Sequence, residues 1–389
     1  MKYKLGVMFG GESVEHEISI ITANQAIAAL DREKYEVVPL YIGKDRELYY
    51  GEKLFDLKAF SDLEKLKADC VRVGLVKDGD KVKVIPAKSR IFGKQLAEID
   101  IMLPIVHGNN CEDGTLQGYI EMLRIPYVGS GVQAAAVGQD KIFMKQIFAQ
   151  SGLPLVPWLW FYSEQYDQNQ KKIVSEARKR LKFPVIVKPA NLGSSVGIKV
   201  AKNEQELAGA IEFARGYDEK IIIEKLVEDL IEVNCSVLGN HHRQEASVLE
   251  EVAKNDEFLS YQDKYEGGGK TKGMVNTARI VPARLDQPTT QALQALAVEA
   301  FMALDASGVV RVDFLGNKAT GEFFLNELNT IPGSLAYYLW KASGVEFGEL
   351  LDRLIAIALE NYRYKENLTY SYSTNVLANF KGAKGAKKL

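Results

Sequence analysis

Residues 4–11 read Lys4-Leu-Gly-Val-Met-Phe-Gly10-Gly11, a short apolar run that closes on two glycines. A brief apolar run ended by glycine reads as a buried strand entering a tight loop. Beyond it, Ile18–Leu30 carries apolar residues at helical spacing, and Tyr35–Ile42 reads as a second strand. Strand, glycine loop, helix, strand is the opening of a parallel, doubly wound sheet. The fold class is therefore α/β, with a Rossmann-like N-terminal domain.

The same reading extends along the chain. Ile99–Val106 is another buried strand, followed by the loop His107-Gly-Asn-Asn-Cys-Glu-Asp-Gly114. Val132–Ser151 is expected to be one helix, stopped by Gly152 and Pro154. Phe183–Pro189 is a strand, 191–197 a Gly/Ser loop and Glu204–Ala214 a helix. Lys220–Val227 and Ile231–Leu238 are strands, and Gly239-Asn240 turns the second into His242–Val252. Ala253–Val275 is long, polar and glycine-rich, as lids and binding loops are. Leu293, Leu296, Ala297, Ala300, Phe301 and Leu304 mark one face of a helix. Val309–Leu315 and Glu322–Leu328 form a hairpin, Phe347–Leu359 closes the fold, and the tail KGAKGAKKL is solvated. The expected domains are 1–112, 113–218 and 219–365, with a flexible tail over 366–389.

Composition narrows the classes of function. The chain has 389 residues, 47% hydrophobic and 26% charged, which excludes a disordered chain and leaves ample core. Its net charge of −2 advertises neither nucleic acid nor anionic membrane as a partner. No run approaches the roughly 20 apolar residues of a membrane span, and the N-terminal apolar stretch is too short for a signal peptide. Cys70, Cys111 and Cys235 are far apart and odd in number, which suits a reducing cytoplasm.

Two familiar motifs fail on spacing. Gly267-Gly-Gly-Lys-Thr271 lacks the glycine a phosphate loop needs five positions before its last one, where Lys264 stands. Gly129-Ser-Gly131 fits a dinucleotide fingerprint, but no ribose-binding acid ends a strand about 20 residues on. The hairpin near residue 320 is more telling. Strand alternation puts Arg311, Asp313 and Leu315 on one face and Leu325, Glu327 and Asn329 on another, leaving Val310, Val312, Phe314, Phe324 and Leu328 to be buried. If the polar faces coincide, two carboxylates and an amide oxygen form an all-oxygen site suited to Mg²⁺ with phosphate; otherwise the strands carry a solvated salt bridge. Lys188 ends a strand ahead of Gly193-Ser194-Ser195, whose N–H groups and hydroxyls can cradle phosphate, or which form a β-turn with polar filler. Lys141 opens a helical stretch as a second cation or as a surface lysine. The acids around Glu15, in a glycine loop, favour a cationic group such as an ammonium, and His107 sits in a comparable loop.

Taken together, these stretches resemble the ATP-grasp ligases and, within them, the D-alanine–D-alanine ligase family. The ordered set runs through Gly10-Gly-Glu-Ser-Val-Glu-His-Glu-Ile-Ser19, His107-Gly to Gly118, Pro126-Tyr-Val-Gly-Ser-Gly131, Lys188-Pro to Gly197, Asp263-Lys-Tyr265, Arg311-Val-Asp313 and Asn326 to Gly333. The resemblance implies three α/β domains with ATP between the last two sheets. By position, Lys141, Lys188 and Ser195 would meet the ATP phosphates. Glu224, Lys225, Leu226 and Val227 would meet the adenine edge, Phe258 its ring and Glu232 the ribose. Asp313, Glu327 and Asn329, beside Asn326, would bind two Mg²⁺ or Mn²⁺ ions. Glu15 would receive the ammonium of the first D-alanine, with His107 nearby. Arg311 and the N–H of Gly333 would stabilise the oxyanion. Lys264 would reach the phosphate from the loop 253–275, and Tyr265 would lock that loop to Ser194 and Glu15.

The chemistry implied is phosphorylation of one D-alanine, then attack by the amine of a second. An acyl phosphate hydrolyses readily, so a closing loop that excludes water is expected. The implied setting is a cytoplasmic homodimer of peptidoglycan precursor synthesis. One departure stands out. Relatives place a serine for the terminal carboxylate where this chain has Tyr338, and Ser334 is the candidate substitute. The alternatives are a ligase for D-lactate or D-serine, a nucleotide-binding protein without turnover, and a nicotinamide-dependent dehydrogenase.

Overall fold

The computed structural model describes residues 2–88, 95–193, 196–253, 278–371 and 373–374. Its strands form sheets of seven, four and five strands. In the first, β1 (Tyr3–Gly10) pairs in parallel with β2 (Tyr35–Ile42) on one side and β7 (Ile101–Val106) on the other. Leu5, Val7, Met8 and Phe9 are all buried, because a parallel strand is covered on both faces. The helix α1 (His16–Ala29) makes the crossover. The parallel part ends at β2. Beyond it β3 (Leu48–Tyr50), β4 (Val71–Asp78), β5 (Lys81–Pro86) and β6 (Ala97–Ile99) continue antiparallel, with α2 (Leu63–Asp69) between β3 and β4.

The sheets divide the chain at other places than 112 and 218. Leu116, Ile120 and Leu123 of α3 (Thr115–Leu123) pack into the core of the first sheet, and Tyr127 bridges to Met102. Gly129-Ser-Gly131 is a packing joint rather than a cofactor loop. Ser130 Oγ donates to the Ser307 carbonyl at 3.1 Å, and a Cβ on Gly308 would meet Gly129 Cα at 2.9 Å. The second sheet has the order β10-β9-β11-β8, built from β8 (Trp158–Tyr162), β9 (Val185–Pro189), β10 (Lys199–Ala201) and β11 (Lys220–Lys225). β11 therefore belongs with the central strands although it lies beyond residue 218, where the break was expected.

The single helix expected over 132–151 is two, α4 (Val132–Gln139) and α5 (Lys141–Gln150). Asp140 parts them: its extended backbone ends one, and its carboxylate caps the other by accepting from Ile142 N and Phe143 N at 2.9 and 3.1 Å. The helices α6 (Ser163–Leu181) and α7 (Glu204–Ala214) cover one face of the second sheet through Tyr166, Ala177, Leu207 and Ile211.

The third sheet has the order β14-β13-β12-β15-β16. It comprises β12 (Leu230–Gly239), β13 (Gln244–Ala253), β14 (Ala278–Ile280), β15 (Gly308–Asn317) and β16 (Phe323–Asn329). The helix α8 (Gln287–Ala303) buries Leu293, Ala297, Ala300 and Phe301 against it. After β16 come α9 (Tyr337–Ala342) and α10 (Phe347–Glu366). Leu350, Leu351, Leu354 and Ile355 of α10 join the core of the first sheet, and Asp352 accepts from Lys34 Nζ and Tyr35 OH at 2.6 and 2.8 Å. No helix among the described residues is long and apolar enough to cross a membrane. The loop over 254–277, with its phosphate-loop lookalike, and the tail from 375 lie outside the described residues.

Candidate functional site

A cavity of about 640 Å³ lies between the second and third sheets and is closed at one end by the loops of the first. Ile186, Val200, Leu226, Val227, Leu230, Phe314 and Leu328 line it with apolar surface, and the polar groups gather beyond them. An apolar slot with a few convergent polar groups is the usual form of a ligand site.

At the slot, Lys188 ends β9 and is held by a buried network. Its Nζ donates to Glu224 Oε2 at 2.8 Å and to Asn326 Oδ1 at 3.3 Å. Lys145 Nζ, fully buried on α5, lies 3.1 Å from the other Glu224 oxygen as an ion pair without hydrogen-bond alignment. Burial alone would raise the Glu224 carboxyl, yet the two lysines hold it down at about 2. Burial lowers the Lys145 ammonium against the pull of Glu224, whereas for Lys188 that pull outweighs burial and the shift is upward. Two lysines on one carboxylate leave positive charge facing the cavity, a setting for phosphate. Lys141 Nζ donates to the Leu192 carbonyl at 2.8 Å and lies 3.7 Å from Glu327. Lys225 and Glu232 also line the slot, with Lys225 Nζ donating to the Phe183 carbonyl at 3.3 Å.

The polar faces of the 320 hairpin do coincide. Arg311 stands opposite Asn329, and Asp313 opposite Glu327. One part of the alternation fails: the register slips after Asp313, so that Phe314 faces Leu325 and Asn326 is the extra residue. Leu325 is thereby fully buried, the reverse of the expected placement, and Phe324 is only partly buried. The bulge also turns Asn326 to Lys188. Arg311 grips Asp313 with two bonds of 2.6 and 2.7 Å, and Asn329 Nδ2 donates to the same carboxylate at 3.1 Å. Asp313, Glu327 and the Asn329 amide are hard oxygen donors, too few for a closed cage and suited to Mg²⁺ or Mn²⁺ completed by phosphate. No group of three His, Cys, Asp or Glu side chains among the described residues makes a cage of its own.

Glu15, His107 and Glu112 close the far end. Gly10 N donates to Ser19 Oγ at 2.7 Å, and that hydroxyl donates to the Ile105 carbonyl, which fixes the glycine loop on β7. A Cβ on Gly193 would lie 3.5 Å from Glu15 Oε2, so the Glu15 carboxylate reaches the loop that carries Ser194. His107 is buried, with Nε2 unpartnered among the described residues, and burial lowers its pKa against the field of Glu15. Glu112 accepts from Gly108 N at 3.2 Å, Ile331 N at 2.9 Å and Thr330 Oγ1 at 3.4 Å. Burial, then Glu15, pushes its carboxyl up to about 7.

Gly333 lines the same cavity at the start of a turn in which Ser334, Leu335 and Ala336 all have φ near +50. Thr22 and Gln25 of α1 hold this turn: Ser334 N donates to Thr22 Oγ1 at 3.1 Å and Ser334 Oγ to Gln25 Oε1 at 2.9 Å. The hydroxyl expected to serve a substrate therefore fastens the turn. Ser194, Ser195, Phe258, Lys264 and Tyr265 lie outside the described residues. The other residues singled out from sequence line the one cavity. Lys145 and Glu112 carried no assigned role in the sequence. The i, i+4 spacing of Lys141 and Lys145 in a helix was the available signal for the first.

The chain matches family models described as D-ala D-ala ligase N-terminus, over residues 4–130, and D-ala D-ala ligase C-terminus, over residues 147–356. It is 38% identical to a D-alanine--D-alanine ligase of Bacillus cytotoxicus, over 95% of this chain and 99% of the relative. It is 37% identical to that of Geobacillus kaustophilus, over 96% and 99%. A solved D-alanine-D-alanine ligase from Coxiella burnetii superposes with a TM-score of 0.78 at 27% identity, covering 94% of this chain and 96% of that one. The VanG D-Ala:D-Ser ligase from Enterococcus faecalis gives 0.77 at 28%, covering 92% and 100%.

Proposed function

Because the chain belongs to the D-alanine–D-alanine ligase family, whose fold is ATP-grasp, we propose how its own residues perform the ATP-dependent joining of two D-alanine molecules, a step in peptidoglycan synthesis. The observation that carries the assignment of roles is the shared cavity. Glu15, His107, Lys188, Glu327, Arg311 and Gly333 all line it.

ATP fits with its adenine between Ile186, Val200 and Leu328, along Glu224–Val227, with Phe258 from the loop and Glu232 at the ribose. Lys141 and Lys188 take the phosphates with Ser195, and the Lys145–Glu224 pair keeps Lys188 aimed. Asp313, Glu327 and Asn329 would hold two Mg²⁺ or Mn²⁺ ions, which would supply charge neutralisation for phosphoryl transfer. The first D-alanine rests its ammonium on Glu15, with His107 alongside. Its carboxylate is then phosphorylated by ATP and becomes an acyl phosphate. The free amine of the second D-alanine attacks that carbonyl carbon, the bond to phosphate oxygen breaks, and phosphate departs. Arg311 and the Gly333 N–H stabilise the oxyanion as it forms. Lys264 and Tyr265 close the site, Tyr265 through Ser194 and Glu15, which keeps water from the acyl phosphate.

We place the enzyme in the cytoplasm, as a homodimer. Exposed Tyr119 and Met122, one turn apart on α3, support an apolar contact there, and light scattering tests it. The function itself is tested by ADP release with Mg²⁺ and ATP across D-amino and D-hydroxy acids, with product mass. The likeness to VanG makes D-serine one arm of that panel. D-alanyl-D-alanine as the main product is the expected result, and ADP release without any dipeptide or ester would overturn it.

A further inference from the structure

The oxygen-rich row of the third sheet does not stop at Asp313. Asn234 on β12 stands directly opposite Asp313 on one side and Glu250 on the other. Val252, two residues after Glu250 and so on the same face, stands opposite Arg279 on the edge strand β14. Glu327, Asp313, Asn234, Glu250 and Arg279 thus cross the sheet as one polar row, and all line the cavity.

Glu250 is the brace of its outer half. Its carboxylate is buried and accepts from Tyr338 OH at 2.6 Å and Asn234 Nδ2 at 3.0 Å, with Arg279 Nε 3.2 Å away. The Arg279 guanidinium also lies 4.4 Å over the Tyr338 ring. Stacking on one face and pairing through Nε hold a guanidinium flat. Its two terminal nitrogens then offer the planar edge that matches a carboxylate. Arg279 remains the exposed end of the row.

We propose that Arg279, braced by Glu250 and stacked on Tyr338, receives the carboxylate of the second amino acid and makes the enzyme require a carboxylate on its acceptor. This rests on the ligase reading above. An amino acid acceptor enters as a zwitterion, so its carboxylate needs a cation while its amine goes to the acyl phosphate. Among the described residues, the other cations of the lining are engaged elsewhere. Arg311 is forked onto Asp313, Lys188 onto Glu224, Lys141 and Lys225 onto carbonyls, and Lys199 lies over the Phe213 ring. Ser334, the hydroxyl nearest in sequence, is tied to Gln25. Tyr338 supplies the flat support from α9, one turn beyond the strained 334–336 segment that presents Gly333.

The test separates the two halves of the reaction in the full-length enzyme. Hydroxylamine attacks an acyl phosphate, forms a hydroxamate and releases phosphate, with no acceptor carboxylate involved. Arg279→Gln is expected to raise the KM for the acceptor D-alanine about tenfold or more. Its hydroxamate rate and ATP KM stay within about twofold of the wild type. The wild type should prefer D-alanine to D-alaninamide as acceptor; Arg279→Gln should lose most of that preference and Arg279→Lys regain part of it. Tyr338→Phe, which keeps the ring, should raise the acceptor KM by a smaller factor. An acceptor KM unchanged in Arg279→Gln, or a hydroxamate rate that falls in step with dipeptide, overturns the proposal. A wild-type enzyme that forms neither hydroxamate nor dipeptide overturns the ligase reading itself.

Discussion

Replacing Glu112 by glutamine tests whether a buried carboxyl strains the junction between the first and third sheets. Glu112 receives two backbone N–H groups, from Gly108 and Ile331, across that junction. Burial and the nearby Glu15 raise its carboxyl from 4.5 to about 7. A carboxyl raised on folding resists ionisation, so folding is opposed once the pH exceeds the unfolded value, and the cost grows until the folded value is passed. Linkage puts that cost at about 1 kcal/mol at pH 5.5 and about 3 kcal/mol at pH 8. Glutamine has no such slope, although its amide faces one N–H and sacrifices a hydrogen bond at every pH, about 1–3 kcal/mol. Wild-type stability should therefore fall by about 2 kcal/mol relative to Glu112→Gln between pH 5.5 and pH 8. Urea unfolding followed by tryptophan fluorescence reads this, because Trp340 is buried in the core that the junction shares. Stability curves that run parallel across that interval would refute the reasoning.

Glu224→Gln strands Lys145 and Lys188 as buried cations and should cost about 3–5 kcal/mol in urea unfolding, partly restored by saturating ATP. Because Glu224 is held down near 2, its contribution is present above ordinary carboxylate pKa values and fades as pH falls from about 4.5 toward 2. Glu327→Gln should nearly abolish ligation with an unchanged circular dichroism spectrum; normal turnover at limiting Mg²⁺ would remove Glu327 from the metal site. Gly11→Ala should raise the donor KM, since Gly11 has φ +100 and its new Cβ would sit 2.3 Å from Cys111 Sγ. Cys111→Ala in the same chain should recover part of that loss. Tyr265→Phe should raise the share of D-alanyl-D-lactate at lower pH, where the amine of D-alanine is protonated; a product ratio constant with pH would sink its role in acceptor choice.

Local pattern was enough for β1, its glycine loop and the facing of Asp313 on Glu327, because apolar runs and two-residue alternation act over a few residues. It failed at the bulge, where the added Asn326 reverses the faces of Phe324 and Leu325 before it and nothing in Phe323–Asn329 signals the slip. Lys145 and Glu112 stayed unread for a different reason. Their meaning lies in partners far away in the chain, Glu224 for one and Ile331 for the other. The breaks expected at 112 and 218 came from the run of local pattern along the chain. The sheets divide by hydrogen bonding, which carries β11 back to β8 and β9. Ser334 read as a free hydroxyl until Gln25 of the first helix came beside it.

The packing of α10 onto the first sheet sets a timetable for birth on the ribosome. Lys34 and Asp352 are 318 residues apart, yet they pair at the surface over the core that α10 shares with the first sheet. At about 5–20 residues per second, the first sheet waits roughly 15–60 s for its last helix. Over that interval the surface that Leu350, Leu351 and Leu354 will cover stays open on the nascent chain. The earliest part of the protein is thus the last to be covered, and a chain cut short before Phe347 is left uncovered at its beginning as well as shortened at its end.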